Sequence, residues 1–267
     1  MNEAFCNVIS EGDEARRDLF VTTAGRMGTA VQYVEKDFWV CWTLDALFHG
    51  LRAGAPRLLF KGGTSLSKSF GLINRFSEDI DITVFRKDLA QAATVEDLEA
   101  LSGKKRKAKL DAIKTACQAF IKGPLRDDLR AAMRQLVSTA RIPEDAYRIE
   151  VDRDDPDEQS LLFWYPTVTA AAGQYVRSAV KVEGGGKSAL DPNLPTTIKP
   201  YVNDDLPSSR DLSATTFARP CANWCQQHEF RRTLIVSRSI VMIQTNKVSY
   251  FGTPRLRRRL DSMFDPP

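Results

Sequence analysis

The chain has 267 residues, 43% of them hydrophobic and 27% charged, with a formal net charge of +4. That is enough for a substantial core in one large domain or two modest ones, and it excludes a membrane span, since no apolar run is long enough. The N-terminal stretch carries early acids and no long apolar core, so it is not a secretory signal and a cytoplasmic protein is expected.

In chain order, residues 13–25 and 34–51 are expected to be helical. In the second stretch Phe38, Trp42, Leu44, Leu47 and Phe48 roughly follow a helical period. Residues 58–60 form a short buried strand, Gly62 and Gly63 a turn, and 64–73 a helix. A β-branched strand follows at about 80–85. Residues 88–140 are helical and highly charged, with KKRKAK at 104–109, and Gly123 and Pro124 should split them in two. Strands are expected at 147–152, 160–166 and 175–183, then an irregular stretch rich in glycine and proline to about 208. LIVSRSIVMI at 234–243 suits a strand or a buried helix, and RLRRRL near the end is basic. The order of elements suggests an α+β fold.

Five scattered cysteines, Cys6, Cys41, Cys117, Cys221 and Cys225, fit reduced thiols better than a disulfide framework. With only His49 and His228, a histidine-centred triad has little to build on. Cys221, Cys225 and His228 lack the fourth ligand of a zinc site.

The chemistry concentrates in LLFKGGTSLSKSFG, 58–71. Lys68 and Ser69 stand where a phosphate-binding P-loop has its lysine and hydroxyl, but Ser67 replaces the glycine whose backbone wraps the phosphate. A P-loop phosphotransferase is therefore the weakest reading. The more informative acids follow in RFSEDIDITVF, 75–85. On a strand, Asp79 and Asp81 share one face while Ile80 and Ile82 face the core. Two adjacent carboxylates repel unless a cation joins them, and hard oxygen donors at this spacing suit Mg²⁺. Glu78 faces away from the pair. The backbone N–H groups at Gly62, Gly63 and Thr64 favour an anion, so a triphosphate held between a glycine turn and metal-bound carboxylates is the joint picture. Either feature alone is ordinary: a double glycine is often only a turn, and an acidic pair is often a solvated edge.

Taken together, GG-[ST], a helix and D-x-D resemble the nucleotidyltransferase signature. The longer string FKGGTSLSKSFGLINRFSEDIDI, preceded by VEKDFWVCWTLDALF, resembles the AbiEii/AbiGii toxins of type IV toxin–antitoxin and abortive-infection systems, related to the MenT toxins. The resemblance is strong over 34–85 and looser to about 183. It implies a nucleotidyltransferase-type mixed sheet flanked by helices, with a helical second lobe. It also implies one or two Mg²⁺ ions, a nucleoside triphosphate substrate, an RNA acceptor such as the end of tRNA, and a cognate antitoxin. Carried over by position, Gly62, Gly63, Thr64 and Ser65 would hold phosphate and Asp79 and Asp81 would bind metal. A third carboxylate is expected from a neighbouring strand. Glu183 is the best placed, with Lys181 on the same strand face to meet phosphate, although a surface salt bridge is the plainer reading of that pair; Asp204 or Asp205 is the fallback. Lys61 and Lys68 flank the loop and could supply positive charge, or either could equally be solvated.

The expected domains are a nucleotidyltransferase core over 1–205, with inserted basic helices at about 88–140, and a C-terminal extension over 206–267. TTFARPCANWC and VSRSIVMIQ in that extension depart from the family's pattern, as in a divergent or incomplete helical lobe. A catalytically impaired nucleotide- or RNA-binding module is therefore the alternative function. The basic runs at 104–109 and 255–259 could hold a nucleic-acid backbone, although a solvated helix face is the commoner meaning. Trp164 and Tyr165 could stack on a base, although buried strand aromatics are the commoner case.

Overall fold

A computed structural model describes residues 1–72, 76–170, 177–188, 190 and 193–219. They belong to one compact unit, Met1–Asn223; a second unit, Trp224–Pro267, lies outside the described residues. So do residues 220–267 of the expected C-terminal extension, with Cys221, Cys225, His228, LIVSRSIVMI and the basic run near the end.

Two helices open the chain, α1 (Glu3–Ser10) and α2 (Asp13–Met27). Asn2 caps α1 by accepting from the Ala4 amide at 2.9 Å. Helix α3 (Val31–His49) is buried on every side from Val34 to Leu47. A helix apolar all round belongs inside a core, but this one also buries Glu35, Lys36, Asp37 and Asp45, and such charges need partners. Glu35 accepts from the Val168 amide at 2.7 Å and from Thr167 and Thr169. Lys36 pairs with Glu78, and Asp37 with Lys68. Asp45 accepts from the Asn2 amide at 2.7 Å. Each buried charge thus fastens a different segment to the central helix.

The strands are β1 (Leu58–Lys61), β2 (Asp79–Val84), β3 (Arg148–Val151), β4 (Ser160–Trp164), β5 (Ala179–Gly185), β6 (Leu194–Ile198) and β7 (Ala214–Ala218). They form one seven-stranded mixed sheet in the order β3-β4-β5-β2-β1-β7-β6. β1 runs antiparallel to β2, β2 parallel to β5, and β1 parallel to β7. One face packs on α3: Ile80, Ile82, Val180, Val182, Leu161 and Phe163 are buried there. Trp39 stacks on Tyr165 with centroids 5.6 Å apart, and Trp42 meets Phe163 at 5.3 Å.

Helix α4 (Gly62–Lys68) follows β1; helices α5 (Val95–Ala100), α6 (Gly103–Phe120) and α7 (Arg126–Ala140) lie between β2 and β3. The fold is the expected mixture of a mixed sheet and flanking helices. No helix among the described residues is long and apolar enough to cross a membrane.

The structure differs from expectation in several places, four of which bear on the site and its sheet. Helix α4 is shorter than 64–73 and begins at Gly62 itself. Gly123 and Pro124 do not break the helix: a five-residue π-helical turn, Ile121–Leu125, absorbs them between α6 and α7. The wide turn accommodates a residue without an N–H, and buried Ile121 and Leu125 hold both sides in the core. The stretch before residue 208 is not wholly irregular, since β6 lies in it. Finally, β7 lies beyond the 205 boundary yet pairs with β1 through Phe60 and Ala218, so the sheet-bearing unit does not end at 205.

Candidate active site

Where β1 ends and β2 begins, the hairpin register sets Lys61 opposite Asp81. On the other side of β2, the parallel register with β5 sets Asp79 beside Lys181 and Asp81 beside Glu183. Neighbours in register point to the same face, so three acids and two lysines from three adjacent strands gather on the face opposite α3. Ile80 and Val182, between them in sequence, are fully buried. The alternation read from DIDI and VKVE is the one observed.

The turn between β1 and α4 completes the cluster. Gly62 has φ +76°, a left-handed conformation that side chains resist. A Cβ built on Gly62 would fall inside the Asp81 carboxylate. The glycine is thus required twice, by its backbone and by the acid lying against it.

The site's charges are only partly balanced. Asp79 is exposed to solvent on this face, yet partial desolvation by the surrounding atoms raises its carboxyl above its ordinary value, and repulsion from Glu78 and Glu183 adds to this against the pull of Lys36 and Lys181. Burial also raises Asp81; Lys61 pulls it down, Glu183 pushes it up, and the net is upward. Lys61 stands 3.9 Å from the Asp81 carboxylate. Lys181 is 2.6 Å from Glu183 and 3.3 Å from Asp152. Desolvation lowers the Lys181 ammonium, but these acids outweigh it and raise it overall. Asp152 was not anticipated. The alternation Arg148, Glu150, Asp152 at the end of β3 was the signal that could have found it, because it continues one strand face.

The remaining expected site residues are placed differently. Thr64 is buried, and its hydroxyl bonds the Ser77 hydroxyl at 2.7 Å and the Asp79 carbonyl. It staples α4 to β2, so only its backbone N–H could face a phosphate. Ser65 is also buried, with its hydroxyl lacking a hydrogen-bond partner. Gly63 is partly exposed in the first turn of α4.

Lys68 was expected at phosphate, but it is buried against Asp37. Its ammonium lies 3.6 Å above the Tyr201 ring and donates to the Lys199 carbonyl at 3.2 Å. Burial opposes both charges of this pair and raises Asp37; attraction to Asp37 still holds the Lys68 ammonium above its usual value. The fallback acids are engaged elsewhere, Asp205 with Thr23 and Arg26 and Asp204 with Lys199. The antiparallel β1–β2 pair and the buried Lys68 leave nothing of the P-loop reading.

Among the described residues, no three His, Cys, Asp or Glu side chains are gathered closely enough to hold a metal ion as they stand. The chemistry of the donor set nonetheless fits a hard divalent cation. Asp79 and Asp81 offer carboxylate oxygens on one face, and both are raised by desolvation and by Glu183, a strain that added positive charge relieves.

The family description that matches this chain is the nucleotidyl transferase AbiEii toxin of type IV toxin–antitoxin systems, over residues 45–222, more than half of the chain. The chain belongs to the AbiEii family. No curated protein matches it. Among solved structures it is similar to MenT4, the nucleotidyltransferase toxin Rv2826c from Mycobacterium tuberculosis H37Rv, at 16% identity and a TM-score of 0.37. The match covers 78% of this AbiEii chain and spans 56% of the MenT4 chain.

Proposed function

We propose that this AbiEii protein is a Mg²⁺-dependent nucleotidyltransferase toxin. It transfers a nucleoside monophosphate from a triphosphate to a hydroxyl on an RNA, such as the 3′ end of tRNA, in the cytoplasm and under control of a cognate antitoxin. The observation that carries this reading is the register placing Asp79 by Lys181 and Asp81 by both Glu183 and Lys61, with Gly62 packed on the Asp81 carboxylate.

In this reading Asp79 and Asp81 would hold one Mg²⁺ ion or two. When bound, the ion neutralises phosphate charge and activates the attacking hydroxyl. Gly62 and Gly63 let the triphosphate approach the backbone, and the Thr64 N–H helps to orient it. Lys61 and Lys181 offset the charge that develops on the phosphates. The acceptor oxygen bonds to the α-phosphorus, the bond to the bridging oxygen breaks, and pyrophosphate leaves. Glu183, freed from Lys181, takes the hydroxyl proton. Positioning and charge stabilisation carry most of such a reaction.

Incubation with labelled nucleoside triphosphates, Mg²⁺ and total RNA tests this. Label transfer with pyrophosphate release, abolished by Asp81→Ala, is expected. Nucleotide or RNA binding without transfer would replace it with the impaired binding module. Two observations favour that side: the departure of the C-terminal sequence from the family's pattern, and the absence of a ready-made three-acid cluster among the described residues.

A further inference from the structure

Beside the acids, the same sheet face carries a second cluster that the proposed chemistry does not use. Tyr165 points into the core against Trp39, whereas Trp164 lies on the opposite face and remains partly exposed. The register ties it to the acids. Asp79 pairs with Lys181, Lys181 with Leu162, and Trp164 is two residues beyond Leu162 on the same face. With strands ~4.8 Å apart and ~3.3 Å per residue, Trp164 lies about 12 Å from Asp79, Cα to Cα. It lies toward the end of the sheet where β2 begins, the end at which the glycine turn sits.

Two guanidiniums face the indole. Arg148, its register partner on β3, lies 4.9 Å from the ring centroid, and Arg177 lies 5.7 Å from it. The indole N–H donates to Glu150 at 2.9 Å, and Glu150 also pairs with Arg148 at 3.1 Å, which fixes ring and guanidinium together. Arg177 is exposed and forms no ion pair with an acid among the described residues. Leu162, 8% exposed, floors the path from Trp164 to Lys181.

We infer that Trp164, Arg148 and Arg177 form a platform for the single-stranded end of the acceptor nucleic acid, on which the terminal bases stack while the arginines neutralise their phosphates. An aromatic ring flanked by arginine planes binds unpaired bases by stacking and the backbone by charge. A duplex keeps its bases stacked on one another and cannot use the ring. The separation from Asp79 is of the order of a nucleotide or two, so a strand seated on Trp164 can bring its terminal hydroxyl to the acids. The inference rests on the proposed nucleotidyl transfer for its biological meaning, but not for its test.

The test is the affinity of the full chain for a fluorophore-labelled single-stranded RNA hexamer with a free 3′ hydroxyl, measured by anisotropy without nucleotide or divalent cation. Trp164→Ala should weaken binding at least tenfold and Trp164→Phe by no more than about threefold. Arg177→Gln, an exposed change that leaves the fold alone, should weaken binding severalfold and flatten its salt dependence. The same sequence as a duplex should bind more weakly. Wild-type affinity in Trp164→Ala and Arg177→Gln, equal affinity for the duplex, or no binding by the wild type overturns the platform. Trp164-dependent binding without nucleotidyl transfer upholds the platform and overturns the enzymatic reading. Transfer with an unchanged acceptor KM in Trp164→Ala does the reverse.

Discussion

Helix α3 and the β1–β2–β5 rim both concentrate charge, but they handle it in opposite ways. In α3 each of four buried charged residues meets a partner at bonding distance, and the partners come from segments far apart in sequence. On the rim, Glu183 repels both Asp79 and Asp81, and the lysines beside them compensate only in part. Charge matched internally holds a fold together; charge left under-matched on an accessible face is available to a ligand.

The contrast is most exposed to failure at Asp37. Asp37→Ala strands the Lys68 ammonium in the core and should cost about 3–5 kcal/mol, read as a lowered denaturant midpoint. An unchanged midpoint would remove the structural role given to the pair.

Gly62→Ala should act mainly on activity. The left-handed backbone costs roughly 1–2 kcal/mol, while displacing the Asp81 carboxylate should cut nucleotidyl transfer about a hundredfold. A loss of stability with activity retained would mean that the turn matters only to the fold.

Thr64→Val breaks the staple between α4 and β2 and leaves the Asp79 carbonyl without that donor, a loss of about 1–3 kcal/mol in denaturant unfolding. If nucleotide affinity fell with no loss of stability, the hydroxyl would belong to the ligand site after all.

The smallest effect concerns pH. The folded-state value of Asp79 is raised, so between the ordinary carboxylate range and that raised value the folded protein binds more protons than the unfolded chain. Stability from this group therefore falls as pH rises through that window. Asp79→Asn should melt slightly higher than wild type at neutral pH without divalent cation, and the gap should close on acidification. Added Mg²⁺ should reverse the order. Parallel melting curves at all pH values would show that the rim is not strained.

Much of the site was legible because it is local. A diglycine after an apolar strand, and acids alternating with isoleucines, fix turn and face within a few residues. Glu183 was reachable because VKVE alternates in the same way. The fate of Lys68 was not legible, because a sequence shows a lysine near a glycine loop but not the aspartate one helix away that claims it. Strands β6 and β7 were missed for a related reason. LPTTI and ATTFA are short and threonine-rich, the first carries Pro195, and each is a strand through its pairing with the other, β7 also through its pairing with β1. The buried charges of α3 also blur its helical period, so its centrality shows only in the company it keeps.

Lys36 and Asp37 are consecutive, and that adjacency has a mechanical outcome. The first grips Glu78 at the entry to β2, the second grips Lys68 at the exit of α4. A single turn of one rigid rod thereby clamps both ends of the excursion linking glycine bend to acidic strand. Changes of length within that excursion should leave the two halves of the candidate site aligned, whereas a small roll of the rod would shift them in concert.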